Sequence, residues 1–176
     1  MSNVSTPQLA ELIVNVVKWA DARGFKEGAT LVSQQVKGEE EQGEFATNLV
    51  RLAEGAEVSV LDDLGDQTVV GIIQAHMSGL DPVQLMEDVY LRDPDDDAGL
   101  TFCRLVAAHG ALAAAVGRKR DLKRPLINFF SMLFTMCAAM DVTPELALET
   151  AYDEIKDRGG KWIDGTFVKE ADLGNS

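Results

Sequence analysis

Two acidic motifs in the first half of the chain have the residue types and the spacing of a metal site. The first motif contains Glu41 and Glu44, and the second contains Asp63 and Asp66. Side chains three residues apart on a helix point the same way, so each motif offers two carboxylates to one side. Four carboxylates brought together would repel one another unless divalent cations neutralised them, and oxygen ligands of this kind suit Mg²⁺ or Mn²⁺. The pattern predicts a site that handles phosphate through metal.

A solvated acidic surface is the alternative interpretation, because runs of charge usually lie in solvent. Residues 39–66 contain many carboxylates and a single basic side chain, Arg51. The same segment also carries apolar residues at helical spacing, which predicts that both helices are substantially buried. Burial favours a site over an exposed acidic face.

The elements that position these motifs are predicted to be helices, so the expected fold class is all-α with one small C-terminal β-hairpin. Thr6 with Pro7, and later Thr143 with Pro144, are typical of a capping residue followed by the first helical position. Residues 164–165 (Asp-Gly), between two short apolar runs, are typical of a hairpin turn. The predicted helices cover residues 7–24, 31–53, 58–78, 82–92, 100–116, 126–140 and 144–158.

The second half of the chain repeats the pattern of the first half without its acids. Residues 79–90 (GLDPVQLMEDVY) align with residues 141–152 (DVTPELALETAY), and the helix before them aligns so that alanines stand opposite the first acidic motif. The repeat predicts one compact unit over residues 1–176, built as a fused tandem or pseudo-dimer. Chance similarity between amphipathic helices is the alternative. The predicted parts are a catalytic half (1–92), a degenerate half (98–160), and a C-terminal hairpin and tail (161–176).

Net charge and cysteine content narrow the possible partners and the compartment. A formal net charge of −13 argues against binding to nucleic acid or to an anionic membrane, because both require a basic surface. The first residues lack the pattern of a secretory signal, and no uninterrupted apolar stretch is long enough to span a membrane. Cys103 and Cys137 lie among apolar residues and are predicted to be reduced core residues. We expect a soluble cytoplasmic protein.

Four segments of the chain resemble the MazG-like branch of the all-α nucleoside triphosphate pyrophosphatases. They are residues 19–25 (WADARGF), 35–45 (QVKGEEEQGEF), 62–70 (DDLGDQTVV) and 151–172 (AYDEIKDRGGKWIDGTFVKEAD). The family signature is an EExxE motif followed by a second acidic motif. This chain departs from it at Asp63, where Glu is commoner, and by a middle stretch that a single-module member does not contain. The resemblance implies a MazG-like helical bundle whose metal ligands are Glu41, Glu44, Asp63 and Asp66.

The resemblance also implies a reaction. Such an enzyme uses Mg²⁺, or Mn²⁺, to cleave a nucleoside triphosphate between its α and β phosphates, giving a monophosphate and pyrophosphate for nucleotide-pool sanitation. Glu40 is the candidate for orienting or deprotonating the attacking water, a task that two metals could also perform. A narrower relative would act on dUTP, dCTP or phosphoribosyl-ATP. The alternative from another class is a catalytically weak helical module that binds nucleotide as a regulator.

Cationic and aromatic residues in the matching segments are candidates for substrate binding. The candidates for the triphosphate are Lys37, Lys156, Arg158 and Lys161, and for each of them an ordinary exposed cation is the alternative. The candidates for the base are Trp19 and Gln35, although Trp19 could instead be a core residue. His76 and His109 stand alone on predicted helices and are interpreted as structural.

The most apolar predicted helix, residues 126–140 (LINFFSMLFTMCAAM), has two interpretations. It could be the surface through which the chain forms a homodimer, which is the oligomeric state that we expect. It could instead be the buried centre of a fused core. The sequence leaves both open.

Overall fold

The structure is a computed structural model that describes residues 5–95, 97–163, 166–170 and 173. This part of the chain is mostly helical and ends in a two-stranded antiparallel sheet, as predicted. The predicted hairpin turn at residues 164–165 lies outside the described residues. In chain order the elements are α1 (Pro7–Ala22), α2 (Phe25–Gly28), α3 (Leu31–Ala53), α4 (Leu61–Met77), α5 (Pro82–Met86), α6 (Ala98–Gly117), α7 (Lys123–Ala139), α8 (Pro144–Ile155), β1 (Gly160–Ile163) and β2 (Thr166–Lys169).

Two helices begin at the capping residues that the sequence indicated. Thr6 Oγ1 accepts a hydrogen bond from the backbone N–H of Leu9 at 3.1 Å, and Thr143 Oγ1 accepts one from that of Leu146 at 3.2 Å. A proline follows each threonine at the first helical position. The side-chain oxygen satisfies an N–H that a helix start leaves without a partner, so the predicted starts of α1 and α8 are confirmed.

The helix predicted over residues 82–92 ends early, at Met86, so the prediction is wrong at this end. The backbone N–H of Tyr90 donates to Ser131 Oγ, and that of Arg92 donates to Thr135 Oγ1, each at 3.2 Å. A backbone N–H bonded to a neighbouring helix is not available to continue its own helix. The chain after α5 therefore follows α7 in an extended form.

Helix α4 lies at the centre of the core, in contact with α1, α3, α7 and α8. Two of its glycines allow this close packing. A Cβ on Gly65 would collide with the carbonyl oxygen of Ala147 in α8, and one on Gly71 would lie 2.8 Å from the ring of Phe130 in α7. Because protein interiors are close-packed, a larger residue at either position would push a neighbouring helix away.

Helix α7 is buried inside the chain's own core. Phe129, Phe130 and Phe134 are shielded from solvent there. Of the two interpretations of the apolar helix, the structure therefore supports the buried centre of a core. Cys137, on the same helix, is buried as predicted, but the prediction for Cys103 is wrong, because α6 turns that thiol to solvent.

Candidate functional site

The two acidic motifs lie on neighbouring long helices, α3 and α4, that pack against each other. Helix α3 begins with a capping box, in which Thr30 and Ser33 each accept the other's backbone N–H, at 2.9 and 3.0 Å. Helix α4 begins at Leu61, which places Asp62 and Asp63 in its first turn. Negative charge is favourable there because the helix dipole is positive at this end. We call α3 and α4 together the acidic hairpin.

A cavity of about 730 Å³ lies against the acidic hairpin. Its volume is that of a small-molecule binding site. Seven of the predicted site residues line it: Trp19, Lys37, Glu40, Glu41, Glu44, Asp66 and Arg158. Helix α8 and the strands add five residues that the sequence analysis did not select: Glu154, Ile155, Trp162, Phe167 and Lys169. One region of the cavity wall is therefore acidic and another is aromatic.

Lys37 is the cation closest to the acidic region. Its Nζ lies 2.6 Å from Glu41 Oε1 and 3.1 Å from Glu40 Oε1. Burial raises the pKa of Glu41, which is only 4% exposed; Lys37 opposes that rise, and Glu44 adds to it. Burial alone would lower the pKa of Lys37, but the bonds to Glu41 and Glu40 raise it above its ordinary value. The ammonium therefore stays charged and partly compensates a buried carboxylate.

Asp66 has the largest shift in the acidic region. Its pKa rises to about 7, first because the carboxyl is buried and then because Glu41 and Asp62 place negative charge near it. Lys37 opposes the rise, and Glu154 of α8 adds to it. A carboxyl that ionises only near neutral pH in a cavity is a functional-site candidate, because folding alone gives no reason to gather like charges there.

Asp63 is the predicted ligand that does not line the cavity. Asn48 Nδ2 donates to both of its carboxylate oxygens, at 2.9 and 3.2 Å. Burial raises the pKa of Asp63, the Asn48 bond lowers it, and Glu44 raises it. Asp62 beside it has one buried carboxylate oxygen without a hydrogen-bond partner in the described part of the chain. Burial, and then Glu154, raise the pKa of Asp62.

The acidic hairpin offers only oxygen donors, the ligands that Mg²⁺ and Mn²⁺ prefer. Among the residues that the structure describes, no three Asp, Glu, His or Cys side chains are close enough together to enclose an ion. The carboxylates nevertheless share one electrostatic environment, since Glu44 raises the pKa of both Glu41 and Asp63. In chemistry and in charge, though not in present spacing, these donors fit a hard divalent cation.

The aromatic region of the cavity joins the two ends of the chain. The ring centroid of Phe25 lies 4.9 Å from that of Trp162, 5.2 Å from that of Trp19 and 5.7 Å from that of Phe167. Trp19 is both a core residue and part of the wall, because its indole N–H donates to the Ile155 carbonyl at 2.7 Å while the ring borders the cavity. Both interpretations of Trp19 therefore describe its position.

Gln35 lies outside the cavity, in a buried polar network between α3, α4 and α6. Its amide nitrogen donates to His109 Nε2 at 2.8 Å and to Glu39 Oε1 at 3.1 Å, and its oxygen accepts from Gln74 at 3.0 Å. His109 Nδ1 bonds to the side-chain oxygen of Gln42. Burial lowers the pKa of His109, which keeps the ring neutral. The interpretation of His109 as structural agrees with this network.

Two of the predicted cations also lie away from the cavity. The Lys156 ammonium pairs with Asp153 at 2.7 Å on the surface. Lys161 is exposed on β1 beside Trp162, and successive side chains of a strand point to opposite faces. Since Trp162 faces the cavity, Lys161 faces away from it. The lysine that the hairpin supplies to the cavity is Lys169 on β2.

The five lining residues that α8 and the strands add lie in the segment that resembles the family, residues 151–172. Glu154 lies four residues before Arg158, so the helix predicted over residues 144–158 would have placed both on one face. In the structure α8 ends at Ile155, and both side chains still line the cavity. Trp162 and Phe167 are paired across the two strands, and the alternation of the hairpin could have placed both on its inner side. The sequence analysis chose only cations from this segment, so it did not predict the aromatic region of the cavity.

No family model matches the chain, and no curated protein and no solved structure matches it either. The resemblance to MazG-like proteins therefore rests on the motifs in the sequence. What it implies for activity is carried forward as a proposal.

Proposed function

We propose that the protein is a MazG-like, Mg²⁺-dependent nucleoside triphosphate pyrophosphohydrolase that converts (d)NTPs to (d)NMPs and pyrophosphate. Its role would be to sanitise or adjust the nucleotide pool of the cytoplasm. The observation that carries the proposal is the cavity, in which carboxylates from two helices adjoin cations and an aromatic wall. A nucleoside triphosphate has a matching arrangement, with a highly charged tail and a flat base.

The residues that would hold the divalent cation are Glu41, Glu44, Asp63 and Asp66. When bound, the cation supplies Lewis-acid stabilisation of charge on the phosphate oxygens. The burial of Glu41 and the raised pKa of Asp66 support this assignment, because an uncompensated cluster of carboxylates costs folding free energy. Asn48 would orient Asp63 through its two hydrogen bonds.

Glu40 would accept the proton of the attacking water. It lines the cavity beside Glu41 and is about half-exposed, so water reaches it. Its bond to Lys37 fixes its orientation, and orientation is what a general base requires first. Lys37 would thus position Glu40 and also face the phosphates.

Positive charge for the triphosphate would come from Arg158 and Lys169, which line the cavity with Lys37. A guanidinium can bind phosphate oxygens through two parallel hydrogen bonds. Arg158 lies close enough to Asp62 to oppose the rise in the pKa of that carboxyl, so it stands at the border of the acidic region. Lys156 and Lys161 would have at most a weak, long-range influence.

The base would stack in the aromatic region of Trp19, Phe25, Trp162 and Phe167. Aromatic faces stack on any base, so this region supplies affinity without selecting among bases. Strand β1 is held beside this region because the indole N–H of Trp162 donates to the Arg23 carbonyl at 2.7 Å.

We also propose that the chain is a fused tandem of two MazG-like halves. Helices α6 and α7 form a second long hairpin, which we call the apolar hairpin, and α8 follows it as α5 follows the acidic hairpin. This repeated order supports the sequence alignment. In the proposed scheme the second half has lost the acidic motifs and contributes packing. Glu154 of α8 and Arg158, which follows α8, line the cavity of the first half.

A nucleotide-binding regulator is the second candidate. One observation favours it: in the described residues no three carboxylates are gathered to enclose an ion, and the Lys37 ammonium pairs with Glu41 instead. Such a protein would bind nucleotide in the same cavity without turning it over. A narrow enzyme for dUTP, dCTP or phosphoribosyl-ATP would differ from the broad one only in its substrates.

The decisive assay is pyrophosphate release from a panel of canonical and modified (d)NTPs and phosphoribosyl-ATP, with Mg²⁺ or Mn²⁺. We expect turnover by the wild type, and its loss in Glu44→Gln and Asp66→Asn. Glu149→Gln is the matched control, because Glu149 is an exposed acid on α8 outside the cavity, and it should keep full activity.

Other outcomes would reject the enzyme. Release of inorganic phosphate alone would mean a different cleaved bond. If no substrate is turned over while nucleotides still quench tryptophan fluorescence, the protein is the regulator. If activity survives both substitutions, the acidic hairpin is not the site.

A further inference from the structure

Helix α6 presents an apolar face to solvent. Leu100, Cys103, Val106, Ala107, Gly110 and Ala111 are exposed on one side of it. Arg104 is the single charged residue in the sequence of α6, and it is held at the N-terminal end by Asp95 at 2.9 Å. A helix that is apolar all round is normally buried, but only 39% of the most apolar stretch of α6 is buried.

Gly110 in this face has no explanation inside the chain. Glycine in a helix interior costs about 1 kcal/mol relative to alanine. A Cβ added at Gly110 would meet nothing within 4 Å. Gly65 and Gly71 of α4, by contrast, are required by neighbouring helices. Gly110 therefore leaves room on this face for another helix to approach closely.

The two ends of α6 carry opposite charge. Asp93, Asp95 and Asp97 precede it, and Arg118, Lys119 and Arg120 follow it. No ion pair involves these three cations within the described ranges 5–95, 97–163, 166–170 and 173. A single helix with acid at one end and base at the other is complementary to its own antiparallel copy.

We propose that α6 forms a homodimer by packing antiparallel against α6 of a second copy, around a two-fold axis near Ala107. With the axis there, Asp97 of one copy lies opposite Arg118 of the other, and the acidic and basic ends are matched twice. The small residues Ala107, Gly110 and Ala111 allow the close approach of the two helices. A two-fold interface of this kind is closed, because the same surface serves both partners.

A bilayer is the other apolar partner that α6 could meet. Within the described residues α6 is the one unbroken helix long and apolar enough to cross a membrane; the bent pair α7–α8 would pass only as a single broken span. Its inner face, however, is tied into the fold, because His109 is bonded to Gln35 and Gln42 of α3. Insertion into a bilayer would break these buried bonds, whereas a second copy covers the outer face and leaves them intact.

The first test is oligomeric state by sedimentation velocity and light scattering. We expect a dimer for the wild type and a monomer for Ala107→Glu, which would place two like charges at the two-fold axis and weaken association by about 100-fold or more. Leu146→Glu is the matched control, because Leu146 is also an exposed apolar residue but lies on α8, and this variant should leave the dimer unchanged. Circular dichroism of both variants should show the wild-type helix content.

The second test fixes the direction of the pairing. In a Cys103→Ser background, Ala107→Cys should form an intermolecular disulfide, because the two thiols would meet at the axis. Leu100→Cys should not, because its two copies would lie ~20 Å apart along antiparallel helices. Cross-linking at both positions would mean parallel helices and would overturn the proposal.

Two further results would also overturn it. One is a wild type that is monomeric at all concentrations. If that monomer also co-floats with phosphatidylcholine–phosphatidylglycerol vesicles, the apolar face of α6 binds a membrane instead of a second copy. The other is a dimer that Ala107→Glu leaves intact. Because the readout is mass and cross-linking, these failures are distinguishable from failure of the proposed enzymatic activity.

Discussion

The acidic hairpin places Glu41 and Asp66 in the wall of a cavity, whereas the apolar hairpin buries Phe129, Phe130 and Phe134 in the core. Each is a pair of long helices that are consecutive in the chain. The acidic hairpin includes α4, and the apolar hairpin contacts α4 through α7. One keeps buried charge that raises the pKa of its own carboxyls. The other keeps almost none.

The two hairpins differ in their effect on the stability of the fold. Buried apolar side chains stabilise a fold at roughly 25 cal/mol per Å² of surface removed from water. Buried carboxylates without full compensation destabilise it. The apolar hairpin therefore stabilises the fold, whereas the acidic hairpin carries buried carboxyl groups that destabilise it unless their charge is compensated. Four predictions test this difference between the two hairpins.

The largest effect is expected in the apolar hairpin. Phe130→Ala removes a fully buried ring that packs against Gly71 of α4. Truncation of a buried phenylalanine leaves a cavity and should lower the free energy of unfolding by about 3–5 kcal/mol. Chemical denaturation measures this. Leu146→Ala, at an exposed position, should stay within about 0.5 kcal/mol of wild type. An equal loss of stability in both variants would show that the burial of Phe130 does not account for its effect.

In the acidic hairpin we expect a substitution to raise the free energy of unfolding, whereas Phe130→Ala lowers it. Asp66 has a pKa of about 7 in the folded state, above that of an unfolded chain, so it stabilises the metal-free fold fully at low pH. That contribution is lost as pH rises through about 7. The full pKa difference would be worth ~4 kcal/mol, and we expect about half of that because the side chain is partly exposed.

Asp66→Asn should therefore make the metal-free protein more stable than wild type at pH 8 and not at pH 4. Urea denaturation in EDTA at the two pH values measures the difference. A variant that is less stable than wild type at pH 8 would show that the carboxylate is a structural group. The contrast between the hairpins would then disappear.

A smaller effect separates cations inside the cavity from those outside it. Arg158→Ala should raise KM for the triphosphate about tenfold, since a hydrogen bond to a charged group is worth ~1.5 kcal/mol or more. Lys156→Ala removes only a surface ion pair and should change KM less than about twofold. Equal effects from the two substitutions would mean that net charge, and not position in the cavity, governs phosphate binding.

The smallest effect compares two open glycines that occupy aligned positions. A Cβ would meet nothing within 4 Å at Gly43 in the acidic hairpin or at Gly110 in the apolar hairpin. Gly43→Ala should stabilise the protein by up to about 1 kcal/mol. Gly110→Ala should give the same gain only in a monomer, and should weaken the dimer if α6 packs on its copy. Thermal unfolding at low and high protein concentration distinguishes these results.

Much of the fold was predictable because its signals are local. The starts of α1 and α8 follow from Thr6 and Thr143 with their prolines, and the burial of α7 follows from its apolar composition. The end of α5 was not predictable. It depends on hydrogen bonds from residues 90–92 to Ser131 and Thr135, about 40 residues away along the chain.

The cavity was predictable in its acids and cations near the motifs, and not in its other wall. The spacing of the acidic motifs put Glu41 and Asp66 on the right faces of α3 and α4. Lys156 and Lys161 were chosen by type, yet the fold turns both outward and supplies Lys169 instead. Cys103 shows the same limit, since an apolar neighbourhood in sequence cannot reveal that a helix face lacks a covering partner.

Titration with Mn²⁺, followed by electron paramagnetic resonance, measures directly whether the acidic hairpin binds a divalent cation. We expect the wild type to bind Mn²⁺, and Glu44→Gln and Asp66→Asn to bind it at least about tenfold more weakly. Glu149→Gln should bind as wild type does. Absence of binding by the wild type, or equal binding by all four proteins, would show that the acidic hairpin is not a metal site.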